Sequence, residues 1–210
     1  MLKIEHLDYE EDVYDITVDK NENFYANGIL VHNCEIDLPT KPLNNIFDEE
    51  GEISLCTLAA INWGKIREPR DFERPCTIAA RALNELLDYQ DYPVAAARAS
   101  TMARRPLGIG IINLAYWLAK NDLNYQHITT EGLNLLHKYA EAWSYYLLKA
   151  SVELAKEQGP CTRWKDLKSA QGLLPIDTRK TEVDELVADQ ERMPWAQLRE
   201  EAKQFGQRNA

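Results

Sequence analysis

Residues 53–63, ISLCTLAAINW, form an uncharged and largely apolar run that follows the polar loop FDEEGE at 47–52. A run of this kind reads as a strand covered on both faces, as in a parallel sheet or a barrel. Toward the C-terminus the pattern turns helical, over about 72–89, 106–120, 130–158 and 194–205. In the longest of these, Leu133, Leu136, Tyr139, Ala140, Trp143, Tyr146, Leu147, Ala150 and Leu154 recur at three and four, giving one apolar stripe that stops at Gly159-Pro160. Toward the N-terminus, IDLPTKPL at 36–43 is extended, with Pro39 and Pro42 in it. Beyond it lie two β-rich runs, VYDITV at 13–18 and NFYANGILV at 23–31, the second with the turn signal Asn27-Gly28. The predicted fold class is mixed, a short all-β segment followed by a helix-rich α/β part. A barrel needs more strands than this chain offers, so the expectation is a piece of a larger protein.

The chain has 210 residues, 45% hydrophobic and 28% charged, with nine Gly and nine Pro, a composition that folds. A net charge of −10 argues against a phosphate-binding surface, so no nucleic-acid partner is expected. No apolar run reaches the roughly 18–20 residues of a membrane span, and the N-terminus MLKIEHLDYEEDVYD is charged where a signal peptide is apolar. The expected location is cytoplasmic. Cys34, Cys56, Cys76 and Cys161 are too far apart for a CxxC pattern, and no metal site or bound cofactor is expected. Charge is uneven. Residues 1–33 carry Lys3 and Lys20 against eight acids, net −6, leaving −4 for the other 177 residues. A domain boundary is placed there, giving segments 1–33 and 34–210.

The string VYDITVDKNENFYANGILVHNC resembles the C-terminal end of an intein, of the all-β HINT type. An Asn whose side-chain amide attacks its own carbonyl cuts the chain after itself, and Asn33 holds that place. The next residue must be a nucleophile, which the thiol of Cys34 supplies. The imidazole of His32 can move protons during cyclisation. Asp15 falls where inteins commonly have an Asp that couples the steps, whereas seven residues later Glu22 stands in place of the usual His. Thirty-three residues are too few for a whole intein and the chain begins with Met1, so the resemblance implies the downstream half of a split intein. Its upstream partner is expected to be basic, so that charge steers association.

Residues 35–56, EIDLPTKPLNNIFDEEGEISLC, together with LLDYQDYP (86–93), RRPLGIGIINLAYWLAK (104–120), LLKASVELAKEQG (147–159) and LLPIDT (173–178), resemble the large subunit of a class I aerobic ribonucleotide reductase. The resemblance implies a fragment of a ten-stranded α/β barrel that reduces ribonucleoside diphosphates. It also implies a metal-radical small subunit, thioredoxin or glutaredoxin as reductant, an upstream chain and a downstream reductase fragment. In the family pattern NLCxEI a radical Cys stands two residues before a Glu. Here that Glu is Glu35, the implied general base for the ribose 3′-hydroxyl, and the radical Cys is expected to end the upstream partner. The alternative makes Cys34 the radical Cys. Cys56 matches the Cys that forms a disulfide with an upstream Cys during reduction. Cys76 and Cys161 are expected to be buried structural thiols. Gly108 and Gly110 are expected to serve close helix packing, and Trp63, Trp117, Trp143 and Trp195 to lie in core or interface. Arg104 and Arg105 face either a phosphate or an acidic surface. The whole reads as a trans-splicing precursor, inactive as a reductase alone. The alternative is a splicing-inactive fragment that assembles non-covalently.

Overall fold

The computed structural model describes residues 23–26 and 29–32 as backbone, and 41–45, 47–48, 50–125, 128–178, 185–187 and 193–210 in full. The chain separates into two compact units, Met1–Pro39 and Thr40–Ala210. In the first, β1 (Asn23–Ala26) and β2 (Ile29–His32) pair antiparallel, with Asn23 opposite His32 and Ala26 opposite Ile29. That register leaves two residues between the strands, as a turn at Asn27-Gly28 requires. VYDITV lies outside the described residues.

In the second unit, β3 (Thr57–Asn62) leads through α1 (Glu73–Tyr89) and α2 (Ala95–Arg104) to β4 (Leu107–Ile112), which pairs parallel with β3. After β4 come α3 (Leu114–Lys120), the long α4 (Thr130–Gln158) and α5 (Trp195–Phe205). In α1 the buried residues Cys76, Ala80, Leu83, Asn84 and Leu87 fall on one helical face, and the helix packs against β3 and α4. The helix α4 starts as its sequence asks. The Thr129 hydroxyl accepts a hydrogen bond from the Gly132 amide at 3.1 Å, and Gly159 ends the helix at φ 82°.

Two of the sequence expectations need correction. The strand within 53–63 begins only at Thr57, and only one of its faces is covered: Ile61 is buried while Leu58 is 74% exposed. On the other face Leu58 and Ala60 are exposed, and Asn62 accepts a hydrogen bond from the Asn113 side chain at 3.2 Å. The stretch 106–120 is a strand and a short helix rather than one helix. Asn113, at φ 64°, breaks it between them. Alternating glycines and β-branched Ile in LGIGII suit a pleated strand that packs on one side.

The single stripe expected along α4 is two faces. Tyr139 and Ala142 join a cluster with Trp63, Phe72 and Trp117, whereas Tyr145, Leu148 and Val152 pack with Leu174, Trp195, Leu198 and Ala202. Trp63 is fully buried, with ring centroids 5.2 Å from Phe72 and 5.5 Å from Trp117, both edge-on. These contacts place Trp63, Trp117 and Trp195 in the core, as the sequence suggested. Trp143, partly buried, packs against the same cluster.

Candidate functional site

The register of the parallel pair sorts the sheet into two faces. Leu107 and Ile109 pack against Ala80, Ala150 and Leu154 on the helical side. Their partners Thr57 and Ala59 point the same way, because laterally paired residues of a parallel sheet share a face. Leu58, Ala60, Gly108 and Gly110 therefore belong to the open face, and so does Cys56, two residues before Leu58.

Cys56 sits where β3 begins, against a part of β4 that carries no side chain. A Cβ placed on Gly108 would lie 2.8 Å from Cys56 Sγ and 2.5 Å from Leu58 Cδ2, so only glycine leaves room for both. This corrects the expectation for Gly108: its bare backbone accommodates a thiol and a leucine on a sheet, not a neighbouring helix. Cys56 is exposed as a residue, yet partial burial of its thiol raises its pKa above the ordinary cysteine value. At neutral pH the group is therefore a protonated thiol.

The other thiols differ. Cys76 is fully buried, its Sγ 4.0 Å from the Trp143 carbonyl, and burial pushes its pKa up to about 12. Cys161 is 2% exposed and burial likewise raises it. Both are structural, in line with the sequence reading. A groove of about 760 Å³ beside the C-terminal half of β3 is lined by Ala60, Asn62, Arg67, Glu68, Asp71 and Ile78 among others, and Cys56 is not one of its residues.

Arg104 and Arg105 meet acids rather than an open surface. Arg104 is 1% exposed and its Nη2 donates to Glu52 Oε2 at 3.0 Å. Burial of Glu52 opposes ionisation, but the hydrogen bond and charge of Arg104 outweigh it and hold the carboxyl below its ordinary value. Arg105, left-handed at φ 51°, ends α2 and grips Asp88 with two guanidinium nitrogens at 2.8 and 2.6 Å. It also donates to the side-chain and backbone oxygens of Asn84 at 2.9 and 2.6 Å. Asn84 is fully buried, and its Oδ1 accepts further bonds from Arg208 and Asn209, both at 3.3 Å. Sequence reading missed this hub. A polar residue at a buried position of the α1 stripe was the signal, since such a residue must find partners.

A second missed feature is Glu141, 4% exposed within α4. Its Oε1 accepts from the Met193 amide and the Trp195 indole, each at 2.9 Å, and so fixes the start of α5. Asp15, Glu22, Asn33, Cys34 and Glu35 lie outside the described residues, and His32 is described only as the last backbone residue of β2. Among the described residues no three His, Cys, Asp or Glu side chains cluster so as to hold a metal ion, and no helix is long and apolar enough to cross a membrane.

A parallel strand pair with helices packed on one face and a cysteine on the other has close relatives in sequence. The family model described as "Ribonucleotide reductase, barrel domain" matches residues 17–210. The ribonucleoside-diphosphate reductase 1 subunit alpha of Salmonella typhimurium is 53% identical over 176 residues, and the subunit alpha of Haemophilus influenzae 51% over the same length. The corresponding protein of Enterobacteria phage T4 is 38% identical over 182 residues. Each match covers 84% of this chain and 23% of the relative, so the chain spans about a quarter of the length of these proteins. With its parallel strands and its match over nearly the whole length, the chain belongs to the ribonucleotide reductase barrel-domain family.

Proposed function

We propose that the chain is a trans-splicing precursor whose residues 34–210 become part of a ribonucleoside-diphosphate reductase catalytic subunit. The observation that carries the reductase half is the placement of Cys56 on the open sheet face, beside a glycine that leaves its thiol room. In this reading Cys56 and a cysteine from the upstream partner give up two electrons and two protons, closing a disulfide as the ribose carbon–oxygen bond is replaced by carbon–hydrogen and water leaves. Glu35 takes the proton of the 3′-hydroxyl. The radical that starts the reaction comes from a separate metal-bearing small subunit, and thioredoxin or glutaredoxin reopens the disulfide. The downstream reductase fragment completes the barrel.

The splicing half rests on the hairpin β1–β2, whose second strand ends at His32, the residue that precedes Asn33 and Cys34 in the sequence. Asn33 cyclises and cuts, Cys34 carries the incoming chain, His32 moves the proton, and Asp15 couples the two steps. The −6 charge of residues 1–33 suits a basic upstream half.

One observation favours the other reading, a reductase fragment that assembles non-covalently with its partner chains. The family match begins at residue 17, inside the segment assigned to splicing. Intact-mass spectrometry separates the two. Mixed with its upstream half under reducing conditions, the chain is expected to lose residues 1–33 and appear joined to the partner through Cys34, whereas Asn33→Ala yields no such product. Binding with no change of mass establishes the non-covalent assembly instead.

A further inference from the structure

Two residues separate β1 from β2, and that count fixes how the pairs of the hairpin alternate. In such a hairpin the pair next to the turn, Ala26 with Ile29, exchanges both backbone hydrogen bonds, and pairs with and without those bonds alternate from there. Tyr25 with Leu30 is then a pair without them, Phe24 with Val31 a pair with them, and Asn23 with His32 again a pair without. Pairs without these bonds bring their Cα atoms closest, to about 4.5 Å, and directly opposite residues share one face of the ribbon. Asn23 and His32 thus hold facing register positions at the end of the hairpin away from its turn, where Asn33 follows in the sequence.

The chemistry assigned to His32 needs such a neighbour. When Asn33 cyclises, the bond from its carbonyl carbon to the Cys34 nitrogen breaks as the bond to its own side-chain nitrogen forms. The proton lost by that side-chain nitrogen ends on the Cys34 amine, with His32 as the carrier. A neutral imidazole holds one proton, on one ring nitrogen or the other, and the partner of the second nitrogen decides which. A carboxamide suits either nitrogen, since its oxygen accepts from an N–H and its NH2 donates to a bare nitrogen. It is also uncharged, so it orders the ring without holding it as a cation. Of the other residues of β1, Phe24 and Ala26 have no polar side-chain group, and Tyr25, the strand's one titratable residue, stands opposite Leu30. On β2 no residue besides His32 is titratable, and the nearby charges in the sequence, Lys20 and Glu22, lie outside the described residues. From this juxtaposition we propose that Asn23 is the positioning residue of His32, selecting the ring tautomer with which His32 moves the proton in the cleavage after Asn33.

The inference rests on the splicing reading for its purpose, yet its first readout needs no splicing. Imidazole titration by NMR is carried out on the full chain with isotope-labelled histidine, the signal lost in His32→Gln identifying His32 among the four histidines. One tautomer of neutral His32 is expected to dominate in the wild type. Asn23→Val, which suits a strand and has no polar group, is expected to return the ring to the tautomer mixture of a free imidazole. Asn23→Asp is expected to raise the His32 midpoint by about half a pH unit or more, because a carboxylate opposite favours the imidazolium, whereas Ala26→Asp at the far end of β1 leaves it within about 0.2 unit. An unchanged tautomer in N23V together with equal midpoints for the two aspartate variants overturns the proposal. The variants are then mixed with the upstream half. N23V is expected to cut after Asn33 at least about tenfold more slowly at neutral pH, and N23D to carry the pH dependence of that cleavage upward with the His32 midpoint. Cleavage that neither variant alters overturns the proposed role. A wild-type chain that never cuts overturns the splicing reading instead, and the titration still decides whether Asn23 governs His32.

Discussion

Three cysteines among the described residues occupy three different settings, and reagents should tell them apart. Brief treatment of the folded chain with iodoacetamide is expected to label Cys56 well before Cys76 and Cys161, which become reactive only on unfolding. Because partial burial raises the Cys56 pKa, its labelling rate should keep climbing above the pH at which an ordinary thiol levels off. Equal labelling of all three in the folded state, read by mass spectrometry, contradicts this assignment. The ion pair of Arg104 and Glu52 gives a prediction of another kind. Arg104→Gln leaves a largely buried carboxylate with only the Lys41 amide at 3.1 Å and the more distant Arg163 guanidinium at 4.0 Å, and should cost about 1–3 kcal/mol in urea unfolding. The carboxyl is lowered in the folded state, so the stability it supplies is complete above its ordinary value of 4.5 and fades as pH falls through the lowered value. The gap between wild type and R104Q should therefore narrow on acidification below that point.

At the scale of elements, the helices whose ends carry explicit signals were readable, and α4 runs from Thr130 to Gln158 as its spacing and its Gly159-Pro160 stop imply. The strand β4 is hard to read because only Asn113 separates it from the apolar helix α3, and its glycines look like helix-packing sites when the partner strand is unknown. The helix α2 was passed over, although AAARASTMAR at 95–104 is rich in the strongest helix formers and follows Pro93. Cys56 emerged from family resemblance alone. Its open-face position depends on the register with β4, a pairing across 50 residues that no local pattern encodes. The two glycines of β4 now make unequal demands. Gly108→Val drives a side chain into Cys56 and Leu58 and should cost about 1–3 kcal/mol while slowing alkylation of Cys56. Gly110→Ala, whose nearest neighbour is the Ala59 carbonyl at 4.0 Å, should stay within about 0.5 kcal/mol of wild type. Similar losses for the two variants would show that the sheet face is not arranged as described.

At the scale of the molecule, the second unit has a well-filled core under one face of a two-stranded sheet and an apolar surface on the other. On that face Leu58 is 74% and Ile112 51% exposed, and Tyr116 of α3 is a further 55% exposed aromatic, so much greasy surface meets water. The isolated chain is expected to bind an apolar dye such as ANS and to self-associate with rising concentration. Leu58→Lys with Ile112→Lys should reduce both effects in fluorescence and sedimentation velocity without changing the far-ultraviolet circular dichroism. Undiminished dye binding in the double variant would locate the sticky surface elsewhere.

The hub on Asn84 has a consequence in time. Asn209 donates its side-chain amide to the Arg105 carbonyl at 3.2 Å and its backbone amide to the Ser151 hydroxyl at 2.9 Å, and Gln207 and Asn209 are both buried. On a ribosome these residues are made after everything they clasp, and a tunnel shields the newest stretch of a nascent chain. The clasp therefore forms only after α1, β4 and α4 have been made, whereas the hairpin, made first, is complete before any of them. Synthesis itself thus gives the N-terminal segment a head start over the core it is attached to.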